Sequence, residues 1–391
     1  MPSSGIVLGS SHGSTVYPQL KPYYLSTLYH SLNLAYPAKV GITCSFFLIS
    51  IVIDKPLVRI LCIPDVQAAI GGVKQLYRHV EHLTALGWDA AVITENKGFR
   101  PSWFQSSAPS FSLEESFGQG DFNEKNLVIV LPETYLGINF SNYRGIDLTP
   151  YAKVVFNQNA YYSFGQISDD TSSSLNSFYD NESVLKVLTV SEDTHFFLSR
   201  VLGLNDNKLC RIINAVEPVF VNNIPKENVL HWMPRKNPDH VNAILQGISR
   251  SNTHFSNGWS GRPLQNISHG DVADSLNRSR IFLSFGHPEG FGLPIAEAMA
   301  SGCWVVGYSG GGGRELFRFG ASTEVPFGDW SSFVLAVNDV FKQFSLYPRE
   351  TSFLLQRQSQ AIRALYSADS ERESIKTAWD LILTSFVTTY R

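Results

Sequence analysis

Short, uninterrupted apolar runs that alternate with helical patterns constrain the fold of this chain most strongly. Leu127–Leu131 reads Leu-Val-Ile-Val-Leu, which is typical of a strand buried on both faces of a parallel sheet. Similar runs in the first half of the chain predict strands at Val58–Ile63, Ala90–Thr94, Lys153–Phe156 and Lys186–Val190. Between the first two runs, apolar residues recur at helical spacing at Val73, Leu76, Val80 and Leu83, before Gly87. Strand, glycine-containing loop, helix and strand form a right-handed parallel unit.

The first half closes with one more helix and strand. Ser191 is a predicted N-cap of a helix that runs to about Leu202, with Gly203 as its stop. A strand near Arg211 follows, and residues 214–225 have the composition of a linker.

A second series of strands and helices begins at Asn228–Trp232. Its clearest elements are the strands Ile281–Phe285 and Trp304–Gly307 and the helix Leu293–Ser301. Two such series in 391 residues predict an α/β protein with two doubly wound domains. The predicted division is an extension at 1–56, an N-terminal domain at 57–222, a C-terminal domain at 223–372, and a terminal helix at 373–391 that packs back toward the N-terminal domain.

The first 53 residues differ from the rest, because they contain no Asp or Glu and only two Lys. They end in the mostly apolar run Val40–Ile53, which is short for a membrane span of about 20 residues and far from Met1 for a secretory signal. Three interpretations stay open: a non-essential extension, a segment that touches a membrane, and a strand or helix packed on the body.

Charge and cysteine usage exclude several classes of protein. Lys and Arg total 31 against 34 Asp and Glu, without the basic excess of a nucleic-acid binder. No pair among the four cysteines has zinc-ligand spacing, and no Asp-x-Asp motif follows a predicted strand. We therefore expect no cofactor, no metal and no nucleic-acid partner, and a cytoplasmic location in which membrane association stays open.

One motif carries the chemistry. Residues 289–302 read EGFGLPIAEAMASG, directly after a buried strand and at the start of a helix. Pro294 suits a first helical turn, while Gly290 and Gly292 let the backbone approach a ligand and leave N–H groups free. A helix N-terminus of this kind favours anions and hydroxyl groups. Glu289 and Glu297, eight residues apart, can both point toward one polyhydroxylated ligand.

This motif resembles that of retaining GT-B glycosyltransferases, specifically glycosyltransferase family 4. The resemblance implies two Rossmann-like domains that face each other across a cleft, and a donor that is a nucleotide-diphosphate sugar. Glu289 would hydrogen-bond the transferred sugar at the catalytic centre, and Glu297 would bind the ribose hydroxyls. Backbone contacts to the sugar and diphosphate would come from Gly290, Phe291, Gly292 and Leu293.

Three other segments fit the same family. The resemblance implies that Gly71 and Gly72 form a loop near the donor phosphate and that Arg235 and Lys236 neutralise the diphosphate. The segment 310–315 reads GGGGRE and is similar to a glycine-rich segment of the family. Its glycines permit either a close backbone approach to a ligand or to the interdomain cleft, or an ordinary flexible turn.

The chain departs from the family pattern in two ways. The stretch from Lys236 to Glu289 is shorter than usual, which leaves the base specificity open. No His occurs in the two first-domain loops near the reaction centre, and Asn157 or Asn159 could supply hydrogen-bond donors there instead. His79 and His82 lie on the first predicted helix and are assigned to surface or packing positions. His287 is next to the motif and is a candidate for the cleft wall.

The resemblance implies a hexosyltransferase-like retaining enzyme of polysaccharide biosynthesis, with a glycan or lipid-linked glycan as acceptor and peripheral membrane contact left open. Another enzyme of the same fold, such as an epimerase or a phosphorylase, is a weaker alternative. A catalytically inactive GT-B subunit that only binds nucleotide sugar is the main alternative, and measured turnover distinguishes the two.

Overall fold

The computed structural model describes residues 54–118, 122–164, 178–251 and 258–391. The interpretations of residues 1–53 lie outside these ranges. Within them, every strand proposed from an apolar run is present, with ends that differ by a few residues at most. The apolar runs predict the strands well because both faces of these parallel strands are buried.

The first half forms a sheet of seven parallel strands in the order β3-β2-β1-β4-β5-β6-β7. Its strands are β1 Leu57–Leu61, β2 Ala90–Thr94, β3 Ser110–Ser112, β4 Leu127–Pro132, β5 Ala152–Asn157, β6 Val184–Thr189 and β7 Leu209–Arg211. The chain moves to one side from β1 to β3 and then crosses to β4 on the other side. The C-terminal ends of β1 and β4 therefore flank a topological switch point, where doubly wound sheets bind ligands.

The second half forms a sheet of five parallel strands in the order β12-β11-β10-β8-β9. Its strands are β8 Glu227–Trp232, β9 Ser260–Pro263, β10 Ser279–Ser284, β11 Trp304–Gly307 and β12 Ser322–Glu324. The chain reverses direction between β9 and β10, so the switch point of this sheet lies between β8 and β10. The predicted boundary at residue 222 falls in the segment between the two sheets.

Helices cover both sheets. They are α1 Gly71–Ala85, α2 Leu113–Phe117, α3 Glu192–Phe196, α4 Pro238–Ser251, α5 His269–Arg278, α6 Leu293–Ala300, α7 Trp330–Leu346, α8 Pro348–Leu365 and α9 Ala368–Tyr390. The Ser191 hydroxyl caps α3 by accepting the N–H of Thr194, and a π-helical turn at Phe197–Val201 extends this helix to Gly203, where φ is +73°. The sequence signals for this helix are therefore confirmed.

The C-terminal helix α9 packs against the first sheet and α1. Trp379 is fully buried, its ring lies 5.0 Å from that of Trp88, and its Nε1–H donates to Nε2 of His79 at 2.8 Å. Burial lowers the pKa of His79 to about 3. His79 is therefore a neutral packing residue, one of the two positions that the sequence allowed for it.

Candidate functional site

The candidate site is a cavity at the switch point of the second sheet. Residues 233–236 follow β8 and residues 286–289 follow β10, so both loops meet at the same edge. The cavity has an empty volume of about 440 Å³, which includes the solvent at its open mouth. Its wall includes Met233, Arg235, Lys236, Gly286, Glu289 and Ile295. The structure thus brings together the predicted catalytic carboxylate and both predicted diphosphate ligands.

The backbone of Glu289 is held by the segment Gly310–Gly313. The Glu289 N–H donates to the Gly310 carbonyl at 2.8 Å, and the Gly312 N–H donates to the Glu289 carbonyl at 3.0 Å. Gly310 has a φ of +69°, and a Cβ there would lie 2.7 Å from the side chain of Glu289. All four glycines are buried. Of the two interpretations of this segment, close approach at the interdomain cleft is the one that the structure bears out.

The two cations at the cavity differ in their contacts. Lys236 Nζ lies 2.8 Å from Glu289 Oε1 and donates to the Pro288 carbonyl at 2.7 Å. Arg235 is exposed and, among the described residues, makes no ion pair or hydrogen bond. Lys236 therefore neutralises Glu289, while the Arg235 guanidinium is available to an anion that enters the cavity.

Two helix N-termini meet at the cleft. Helix α6 follows Gly292, whose φ is +85°, and no side chain caps its first N–H groups. Helix α1 follows Ile70 and is also without a side-chain cap. A Cβ on Gly71 would lie 3.6 Å from Leu293 Cδ1, so the two N-termini are close. Uncapped N–H groups and two helix dipoles make this edge favourable for an anion.

The prediction of a glycine loop at Gly71 and Gly72 is wrong in one respect. Both residues belong to the first turn of α1, because the chain turns directly from the extended Ile70 into the helix. Their lack of a side chain is still used, since a Cβ on Gly72 would lie 3.4 Å from the amide of Gln158. The two glycines therefore let α1 pack closely at the cleft as part of a helix.

Glu297 does not line the cavity. It lies one turn into α6, where Lys74 and Arg78 of α1 together with Glu217 and His269 surround it electrostatically. Burial raises the pKa of Glu297 to about 7. Within this cluster Lys74 forms an ion pair with Glu217, and His269 Nε2 lies 3.3 Å from Glu217 Oε1. No pattern in the sequence predicts the cluster, because its members come from four distant segments.

The first domain packs against the glycine-rich turns beside the cavity. The Gln158 carbonyl packs directly against Gly290. The Tyr161 hydroxyl donates to Asp193 Oδ2 at 2.7 Å, and both groups lie next to Gly311. Asn157 is fully buried and donates to the Tyr179 hydroxyl at 2.7 Å, so its amide does not face the cleft. The hypothesis that Asn157 serves as a cleft donor is therefore wrong.

Asn159 and His287 also lie beside the site. Asn159 is buried, and its Oδ1 accepts the N–H of Tyr161 at 3.2 Å, which leaves its amide hydrogens for other partners. His287 stacks on Phe327 with ring centroids 4.1 Å apart, and partial burial lowers its pKa. A neutral His287 two residues before Glu289 stays a candidate for the cleft wall.

Glu315 forms hydrogen bonds with residues of both domains. Its carboxylate accepts from Arg211 at 2.7 Å, from the Tyr366 hydroxyl at 2.9 Å and from the N–H of Glu192 at 2.7 Å. Arg211 ends β7 of the first sheet, so this buried carboxylate joins elements of both domains.

Comparison with known proteins gives one family match. Residues 262–349 match the model of the family described as glycosyl transferases group 1. A curated relative, the alpha-1,6-glucosyltransferase of Actinobacillus pleuropneumoniae serotype 7 (strain AP76), is 45% identical over 47 residues. That match spans 12% of this chain and only 14% of the relative. The carboxylate motif at 289–302 thus lies within the part of the chain that is similar to this family.

Solved structures resemble almost the whole described chain. Sucrose-phosphate synthase from Thermosynechococcus elongatus matches with a TM-score of 0.64 at 13% identity, covering 85% of this chain and 100% of that one. Anabaena Alr3699/HepE in complex with UDP gives 0.61 at 13% identity, with 83% and 99% covered. WaaG, a glycosyltransferase involved in lipopolysaccharide biosynthesis, gives 0.57 at 12% identity, with 83% and 99% covered. The chain has the GT-B fold, as the sequence predicted.

Among residues 54–118, 122–164, 178–251 and 258–391, no helix is long and apolar enough to cross a membrane. No three His, Cys, Asp or Glu side chains within the same ranges come together as a metal site.

Proposed function

We propose that this chain is a glycosyltransferase that moves a sugar from a nucleotide-diphosphate sugar to a glycan or lipid-linked glycan, with retention of configuration. The observation that carries the proposal is the convergence of Glu289, Lys236 and Arg235 on one cavity, beside the uncapped N-terminus of α6. Retention rests on the resemblance of the motif at 289–302.

The leaving group is the diphosphate, on which negative charge grows as the glycosidic bond breaks. Arg235, which is exposed at the cavity mouth, would bind it together with the first N–H groups of α6. Fixed positive groups of this kind stabilise the developing charge without having to reorganise. Lys236 lines the cavity beside Glu289, so it can neutralise the carboxylate before the donor binds and the phosphate afterwards.

Two carboxylates would hold the remainder of the donor. Glu289 opens into the cavity and would accept hydrogen bonds from hydroxyls of the transferred sugar. Glu297, one turn into α6, would accept them from the ribose, which is separated from the sugar by the diphosphate. Closing of the two domains would then exclude water from the reacting bond. We assign neither carboxylate as a nucleophile.

The proposal is tested with a panel of nucleotide sugars, beginning with UDP-glucose because a relative is named a glucosyltransferase. Nucleotide release measures turnover, and calorimetry with the free nucleotide measures binding. Glu289→Gln should lower turnover at least about tenfold while nucleotide affinity stays near that of the wild type. Arg235→Ala should weaken nucleotide binding by about 1.5–3 kcal/mol, or roughly 10- to 150-fold.

Arg363→Ala is the matched control, because it removes the same charge from an exposed position on α8. It should leave both binding and turnover unchanged. Wild-type protein that binds nucleotides without turning over any donor would contradict the proposed transfer and favour the inactive binding subunit. Equal turnover of Glu289→Gln and wild type would remove Glu289 from the catalytic centre.

A further inference from the structure

Glu133 is a buried carboxylate at the switch point of the first sheet. It directly follows β4, and the residue is only 3% exposed. Burying a charged group is costly unless hydrogen bonds compensate. In Glu133 the compensation comes from the backbone: the N–H of Gln158 donates to Oε2 at 2.9 Å, and the N–H groups of Asn159 and of Glu133 itself also bond to the carboxylate.

The segment bonded to this carboxylate, Gln158 and Asn159, lies between the turn at Gly290 and the first turn of α1. A Cβ on Gly290 would be 1.6 Å from the Gln158 carbonyl oxygen and 3.0 Å from Asn159 Cα. The side-chain amide of Gln158 meets Gly72 in the first turn of α1. The loop 157–159 is therefore packed against the turn that presents Glu289 on one side and against α1 on the other.

No cation explains the presence of a carboxylate at this position. Among the described residues, Glu133 forms no ion pair, and the titratable group that faces it is Tyr179, whose hydroxyl bonds to Asn157 and Ser163. Burial raises the pKa of Glu133 to about 7, against the hydrogen bonds that favour its ionised form. A carboxylate in this place accepts several N–H groups at once, which a neutral side chain of similar size does not.

We propose that Glu133 is a positioning residue, which sets the loop 157–159 against the Glu289–Leu293 turn and so fixes the first-domain wall of the reaction centre. The importance of this contact for catalysis rests on the proposed function, whereas the contact itself does not. Glu133 touches neither donor nor acceptor in this scheme. It acts through the backbone of Gln158 and Asn159.

The test compares Glu133→Gln with Glu182→Gln, a matched control that removes an exposed carboxylate two residues before β6 of the same sheet. Amide hydrogen exchange is read by peptide, and kcat, donor KM and nucleotide affinity are measured in parallel. In Glu133→Gln, exchange should accelerate about tenfold or more at residues 157–161 and at 289–293, with β1 and β4 unchanged. The value of kcat should fall at least about tenfold, with donor KM and nucleotide affinity within about twofold of the wild type.

The possible outcomes separate the two ideas. Faster exchange throughout the first sheet, with a matching loss of stability, would assign Glu133 an ordinary structural role and overturn the proposal. Exchange at 157–161 and 289–293 that equals that of Glu182→Gln would also overturn it. If wild-type protein turns over no donor, the proposed function fails, and the exchange at 289–293 alone decides whether Glu133 positions the interdomain contact.

Discussion

Gly290 offers a steric test of how closely the two domains must approach. A Cβ at this position would lie 1.6 Å from the carbonyl oxygen of Gln158 and 2.6 Å from its carbonyl carbon. Contacts below 3.0 Å are essentially unknown for Cβ atoms, so the two backbones must separate by about 1.4 Å. The atoms concerned are backbone, so a side-chain rotation cannot relieve the clash.

We therefore expect Gly290→Ala to fold but to close its cleft incompletely. A misplacement of about 1 Å can cost about 100-fold in rate, so kcat should fall by roughly two orders of magnitude. Nucleotide affinity should change by less than about threefold, since Arg235 and α6 belong to the second domain and do not move relative to each other. Overpacking should lower the free energy of unfolding by about 1–3 kcal/mol.

Gly270→Ala is the control for this prediction, because a Cβ there would meet only the Ser268 hydroxyl at 3.8 Å. Turnover is measured by nucleotide release from a saturating donor, and affinity by calorimetry with the free nucleotide. Gly290→Ala with the turnover of Gly270→Ala would refute the reasoning, because it would mean that the Gln158 contact is not required during catalysis. A large loss of nucleotide affinity would instead place the effect in the donor site.

Three further predictions follow from charged and buried groups. Burial raises the pKa of Glu297 from 4.5 to about 7, so its contribution to stability is greatest below pH 4.5 and is lost as the pH rises through 7. Glu297→Gln should therefore flatten the pH dependence of the free energy of urea unfolding over this range. Nucleotide binding by the wild type should strengthen over the same range, because the carboxylate ionises. The pKa of His79 is depressed from 6.5 to about 3, so stability should fall as pH drops below 6.5, and Trp379→Phe, which removes the indole donor, should cost about 1–3 kcal/mol in denaturant unfolding at pH 7.5. Arg211→Met leaves the buried Glu315 without its cation and should destabilise by about 3–5 kcal/mol, whereas Arg318→Met, which breaks an exposed pair with Glu192, should cost less than about 1 kcal/mol; equal losses would contradict the role of burial.

Local sequence determined the secondary structure and the approximate place of the candidate site. The strand Trp304–Gly307 was predicted with its observed ends, and the Ser191 cap and the Gly203 stop are both confirmed. These elements depend on periodicity, apolar content and capping chemistry, all of which act within a few residues. The Glu289–Gly302 motif is likewise local, because one strand end and one helix start supply its whole geometry.

Contacts between distant segments were decided only by the tertiary structure. Gly71 and Gly72 are helical because α1 begins directly after Ile70 at the domain interface, where a loop had been expected. The charged cluster around Glu297 and the hydrogen bond from the Gln158 N–H to Glu133 cannot be predicted from sequence spacing, because their residues lie far apart along the chain. Packing energy and electrostatic interactions act through space, so these parts of the site become visible only when both domains are in place.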